Sequence, residues 1–227
     1  MAEPAADIVE GLNQSGVLQN LSPPLQTALF LGALVLLPAM LVCLSGFTRI
    51  VIVLSFVRRA VTSQEIPPNM VVIGLAFFLT LFVMGPTLEE IHAKGVEPYL
   101  NNKIAGAEAF QQSSAALRKF MIRQTRRQDL ALFIHMARLD APETPDDVPL
   151  RVLVPAFVIS ELKTAFIMGF CLYVPFLLVD LVVSCVLTAM GMVMKPPVVI
   201  SAPFKILLFV LADGWHLVAR GLSSSFG

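Results

Sequence analysis

The 227-residue chain is 56% hydrophobic, with 16 basic and 16 acidic residues and therefore no formal net charge. Soluble domains hold about 45–50% apolar residues, so the composition points to a polytopic membrane protein. The charge balance leaves no global field to draw nucleic acid or an acidic partner. Cys43, Cys171 and Cys185 all lie in apolar runs without a close pair, which predicts buried small hydrophobes and neither a disulfide nor a metal site.

Residues 1–24 form a polar segment whose opening, Met1 to Asp7, is acidic and lacks a basic n-region. It is not a cleavable signal peptide by the usual pattern; insertion falls to the first apolar helix, or to a signal removed upstream. Ser22-Pro23-Pro24 is a helix-entry signal. The first apolar helix runs from Leu25 to about Ser45 with a kink at Pro38, which neighbouring helices can satisfy. Gly46-Phe47-Thr48-Arg49 interrupts it, and Ile50 to Val57 resumes before Arg58-Arg59. Arg49 is expected to snorkel or to pair at this helix junction.

Two arginines in a short connection read as cytoplasmic. Met70 to Met84 is then the second apolar segment, and residues 25–91 make a first pair of membrane helices. That orientation delivers residues 92–150 to the periplasm as a helical insertion and linker. Within it, Ala105 to about His135 has helical composition, and Arg118, Lys119, Arg123, Arg126 and Arg127 form a basic face. The face reads as solvated surface or an inter-subunit contact. Residues 140–149, with three prolines and several acids, form an acidic linker.

Residues 151–227 hold the C-terminal membrane helices. From Pro155 to Trp215 the chain is almost unbroken hydrocarbon, carrying Glu161, Lys163, Asp180, Lys195, Lys205 and Asp213. An ionisable group in that setting needs a partner, water or the interface. Residues 155–194 are long enough for two crossings of about 20 residues. The midpoint, Leu172 to Phe176, holds no polar turn, so one long kinked helix fits equally well. Val198 to Val218 is the last apolar segment, ahead of Arg220 and a Ser-rich tail. Lys163 is a poor mate for Glu161, because positions i and i+2 diverge on a helix. Counting back around the turn at residues 190–197 places Lys205 within about one helical turn of Asp180.

No catalytic signature emerges. His92, His135 and His216 are isolated, and there is no phosphate-cradling glycine loop or Cys/His cluster with zinc spacing. No cofactor is expected. An intramembrane aspartyl protease built on Asp180 and Asp213 is the nearest enzyme idea, but three neighbouring lysines make ion pairing the simpler account. A secondary transporter using these charges as proton relays is the alternative from another class.

Long ordered strings carry a resemblance that spans nearly the whole chain beyond Leu25. They are Phe47 to Val51, Pro67-Pro68-Asn69, Gln124-Thr125 with Asp129-Leu130, Ser160-Glu161-Leu162-Lys163-Thr164-Ala165-Phe166, Pro196-Pro197, and Pro203 to Val210 followed by Asp213-Gly214-Trp215. With these strings the chain resembles the FliP family, core subunits of the flagellar type III protein-export gate; the injectisome counterparts are close relatives. The resemblance implies an all-α integral membrane protein with about four long, partly kinked apolar helices that assembles into a helical oligomer of about five copies. FliQ, FliR and FlhB are the implied partners, unfolded flagellar proteins the implied cargo, and the bacterial inner membrane at the basal body the implied location. It also implies a methionine-rich pore gasket, here Met190, Met192, Val193 and Met194, in which Val193 and the following Lys195 depart from the family pattern. Finally, it implies a Glu161–Lys205 ion pair, between neighbouring helices or between subunits, ranked ahead of Asp180–Lys205.

Overall fold

The computed structural model describes residues 22–61, 67–139, 147–192 and 196–227, and within them every regular element is a helix. Helix α1 is Pro23–Cys43, α2 is Phe47–Val61, and α3 is Asn69–Ile91. α3 continues through a π-helical turn, His92–Val96, into the short α4, Glu97–Leu100. α5 is Gly106–Gln124, α6 is Arg127–Met136 and α7 is Leu150–Ala189. α8, Pro197–Leu211, and α9, Gly214–Ser224, complete the fold.

The 40 residues of α7 decide between the two readings of the long apolar run: it is one helix. At 1.5 Å per residue it extends about 60 Å, twice the hydrocarbon thickness of a bilayer. It passes through Pro155 and Pro175 without ending, because no turn residue accompanies either proline and each removes only one ladder hydrogen bond. Among the described residues, α7 and the 32-residue rod Asn69–Leu100 are each long and apolar enough to cross a membrane. α8 and α9 reach that criterion only together, across a 63° bend.

Three breaks fall where apolar periodicity gave no warning. α2 starts at Phe47, not at Ile50; the Phe47 amide is held by Ser45 Oγ at 3.3 Å. Arg49 therefore sits on the same buried stripe as Ile50, Val53, Leu54 and Val57. The expected single helix over residues 105–135 is split at Thr125, which is extended, and the freed Arg126 amide donates to Ser160 Oγ at 3.0 Å. The last apolar segment breaks at Asp213, in the left-handed region at φ 49° and ψ 51°. The next residue, Gly214, lies against the Phe209 ring so closely that no Cβ fits, and Trp215 meets the same ring edge-on at 5.2 Å.

α7 passes through two apolar clusters. One gathers Ile50, Val53, Val57, Ala76, Ala165 and Phe209 from α2, α3, α7 and α8. The other gathers Met84, Phe120, Met121, Val152, Leu153 and Phe157 from α3, α5 and α7. Phe226, just beyond α9, packs on both. Past Gly169 the helix is almost bare, with only Phe176 and Leu187 buried. Cys43, Cys171 and Cys185 are exposed, contrary to the buried sites expected for them, because they lie on outward faces of α1 and α7.

α2 and α7 approach closely because α7 presents Glu161, Ala165 and Gly169 at i, i+4 and i+8, one face of the helix. A Cβ at Gly169 would lie 2.6 Å from the Phe56 ring. Gly169→Val should therefore overpack the seam and cost about 1–3 kcal/mol, read as a lower unfolding midpoint of the detergent-extracted protein. Adding Phe56→Leu should recover part of the loss; no shift in the single variant would refute the close seam.

Candidate functional site

The Ser160–Thr164 string is a structural knot whose residues point three ways because of helical spacing. Ser160 and Thr164, at i and i+4, share a face toward α6. The Ser160 hydroxyl donates to Asp129 Oδ2 at 2.7 Å, and Arg126 Nη2 donates to Thr164 Oγ1 at 3.3 Å. Glu161, one step round the helix, points at α2 and is fully buried. Lys163 points to solvent.

Glu161 finds Arg49. The Arg49 side chain is 2% exposed and its fork donates to both carboxylate oxygens, through Nε at 2.9 Å and through Nη2. Nη2 also reaches Gln124 Oε1 at 3.0 Å. Nη1 donates to the carbonyl of Ser225 at 2.7 Å and to its hydroxyl at 3.0 Å. The guanidinium carbon lies 3.9 Å from the centre of the Phe226 ring, and Gln124 Nε2 donates to the Phe226 carbonyl. Four segments, α2, α5, α7 and residues 225–226, thus meet on one cation. A planar five-donor fork suits this task in a way a lysine does not.

Within the protomer Lys205 takes a different acid from the one that the resemblance placed first. Lys205 Nζ donates to Asp180 Oδ2 at 2.6 Å, and Ser201 Oγ donates to Asp180 Oδ1 at 2.5 Å. The reason is geometric. Ser201 and Lys205 share one face of α8 at i and i+4, and the antiparallel return brings that face onto α7 at Asp180. Glu161 lies 19 positions back along α7, about 28 Å of helix away, with its own cation at hand. Among the described residues no buried side-chain nitrogen or oxygen lacks a hydrogen bond. Of the other charges in this apolar run, Lys163 is exposed on α7 and Asp213 on the α8–α9 bend. Asp180 and Asp213 therefore do not form a pair of like carboxylates.

Beyond the Asp180 cluster lies the methionine corner. α7 closes with Gly191 at φ +75°, whose amide donates to the Thr188 carbonyl, while the Met192 amide reaches Leu187. This is the glycine-terminated helix end that needs no Cβ. α8 restarts at Pro197, where a missing N–H is harmless. Met190 and Met192 are exposed at 64% and 46%. Val193, Met194 and Lys195 fall outside the described residues. An open groove of about 560 Å³ runs between α7 and α8, lined by Leu178, Val182, Val186, Leu187, Ile200 and Phe204 among others, with no polar lining. Among the described residues no three His, Cys, Asp or Glu side chains converge on one point.

Gln124 and Asp129 entered the sequence reading only as members of motif strings, Ser201 was not singled out, and Ser225 and Phe226 were read as a tail. The one available signal was an aromatic residue set among serines and glycine at residues 221–227. The pairing itself is testable by charge exchange. Lys205→Glu leaves Asp180 facing a like charge, and stranding a buried partner costs about 3–5 kcal/mol. Adding Asp180→Lys should restore the folded yield in part, whereas adding Glu161→Lys should lower it further; rescue by Glu161→Lys would reverse the assignment.

A family model described as the FliP family matches residues 30–222. The chain is 50% identical over 208 residues to the flagellar biosynthetic protein FliP of Bacillus subtilis (strain 168), covering 92% of this chain and 94% of that protein. It is 48% identical over 208 residues to the protein of the same name from Pectobacterium carotovorum subsp. carotovorum, covering 92% and 81%. With that of Aquifex aeolicus (strain VF5) it shares 44% over 209 residues, covering 91% and 87%. Together with the motif strings that build the two charged clusters, this coverage places the chain in the FliP family.

Proposed function

We propose that this chain is a channel-forming subunit of the flagellar type III export gate, conducting unfolded flagellar proteins across the bacterial inner membrane. The observation that carries the reading is 50% identity to a flagellar biosynthetic protein along 92% of the chain. The same relatives put the flagellar reading ahead of an injectisome subunit and of a small-solute transporter. In this reading the protein does no bond chemistry. It contributes a rigid body, built on Arg49 and Glu161, and a projecting α7–α8 hairpin stapled at Asp180.

The bare faces support assembly. Phe166, Phe170, Leu181 and Val182 on α7, Phe204, Leu207 and Val210 on α8, and Phe77, Phe78 and Phe82 on α3 are all exposed. Apolar area on this scale marks contact with lipid or neighbouring subunits. About five copies, joined by FliQ and FliR with FlhB nearby, follow from the family resemblance. The methionines then act at the tip of each hairpin. Unbranched thioethers pack adaptably, so a ring of Met190, Met192 and Met194 closes around itself and yields to a passing chain. Residues 92–150 face the periplasm, following the Arg58-Arg59 orientation argument.

Expression in a Bacillus subtilis strain lacking its own FliP tests the function, with restored swimming and filament assembly as the expected outcome. No restoration by a stably expressed, correctly inserted chain would count against it. Met192→Ala combined with Met194→Ala should leave assembly intact and make cells leak small ions; unchanged ion permeability in an assembled complex would remove the gasket role. A cysteine at Gln111, on the exposed face of α5, should react with a membrane-impermeant thiol reagent in intact cells. Labelling only after lysis would reverse the topology.

A further inference from the structure

The segment after α9 does more than trail from the helix. Ser225 supplies two acceptors to Arg49 Nη1, and Phe226 supplies a ring over the guanidinium and a carbonyl for Gln124. The ring is filled in on its other sides. It stacks on Phe120 at 6.4 Å with only 14° between planes, and a Cβ on Gly46 would lie 2.8 Å from it. Gly46 is therefore the floor of a slot that accepts one aromatic ring. Two residues thus cover a cation that holds α2, α5 and α7 together.

The cover is attached to an element with a small footprint on the body. α9 joins α8 only through the left-handed Asp213, at an angle of 63°. It buries one narrow stripe, Gly214, Val218 and Leu222, while Trp215 and Leu217 stay exposed at 46% and 53%. Its outer face is thus open to a partner or to lipid, and its far end feeds directly into Ser225 and Phe226.

We propose that Ser225 and Phe226 form a latch over the Arg49–Glu161 pair, and that displacing α9 opens this latch and loosens the packing of α2 against α5 and α7. With the latch open, Arg49 Nη1 loses both of its acceptors, and water reaches a pair that is otherwise dry. The consequence is a mechanical link: whatever binds or pulls α9 changes the rigidity of the body that carries the α7–α8 hairpin. The hairpin's own Asp180 cluster shares no side chain with the latch, so it stays shut when the latch opens.

Two substitutions open the latch from opposite sides. Phe226→Ala removes the ring, and Gly46→Ala fills its slot while leaving every hydrogen-bonding group in place. Amide hydrogen exchange of the full chain, extracted in detergent, reads the result. Each variant should speed exchange about tenfold or more in Ile50–Val57, Phe120–Gln124 and Phe157–Ala165. Exchange in Val182–Leu187 and Ser201–Phe209 should not change. The double variant should exchange no faster than the faster single, since an open latch cannot be opened twice. Phe226→Leu, which keeps apolar packing and loses the cation–ring contact, covers the case in which the alanine variant fails to fold; it should give an intermediate acceleration confined to the same segments. Multiplying effects of the two substitutions, acceleration spread evenly over the molecule, or wild-type exchange in Gly46→Ala would overturn the proposal.

Discussion

A guanidinium that cannot reach water must be satisfied by the protein around it, and in this molecule that requirement falls on Arg49. Its cost of burial is recovered only when several acceptors are held at once in the geometry of the fork. No single helix supplies them. Glu161 comes from the first half of α7, Gln124 from the last turn of α5 and Ser225 from beyond α9. Satisfying one charge therefore constrains three segments that are far apart in sequence. The apolar clusters around it add packing energy, but packing is non-directional. Directional bonds from one cation pick a single arrangement out of the many ways these greasy helices could stack.

α7 is where that constraint becomes architecture. Its first half is a body element, with Val152, Leu153, Phe157, Ser160 and Glu161 all buried. Its second half projects with little of its surface covered. The change occurs just past Gly169, with Tyr173 still meeting Phe56 of α2. Beyond it the chain relies on α8 for company, and Asp180 with Ser201 and Lys205 is the staple that keeps the two helices in register. A staple set nine residues before the end of α7 leaves the Met190 corner free to adjust while the base of the hairpin stays fixed.

The exposed leucines, valines and phenylalanines of α1, α3, α7 and α8 are the thermodynamic counterpart of this plan. Each Å² of apolar surface left in water forgoes about 25 cal/mol, so faces this extensive are stable only against lipid or another protein. An isolated protomer is in this sense an incomplete object. The three outward cysteines make the same point. They are small apolar side chains on exposed faces, not members of the protomer's own core.

Composition and local pattern determined a good deal without coordinates. Apolar runs of membrane length pointed to membrane helices, the family resemblance implied an all-α fold, and the corner at residues 190–197 gave the hairpin turn. Counting residues from that turn found Asp180 opposite Lys205, because an antiparallel helix pair is nearly a one-dimensional object. What lay beyond reach was any contact whose partners are not related by helical counting. Arg49 and Glu161 are 112 residues apart, and Arg49 and Ser225 are 176 apart. Their meeting depends on how α2, α5 and α7 stack in three dimensions. The resemblance to a family drew Glu161 and Lys205 together, but inside one protomer each has a nearer partner of opposite charge, and proximity decides. The break at Thr125 was hidden for a similar reason: its sequence is compatible with a helix, and a tertiary acceptor at Ser160 makes leaving the helix worthwhile. The break at Asp213 is local instead, an Asp-Gly pair whose glycine lets the chain turn back against the Phe209 ring of the same apolar segment.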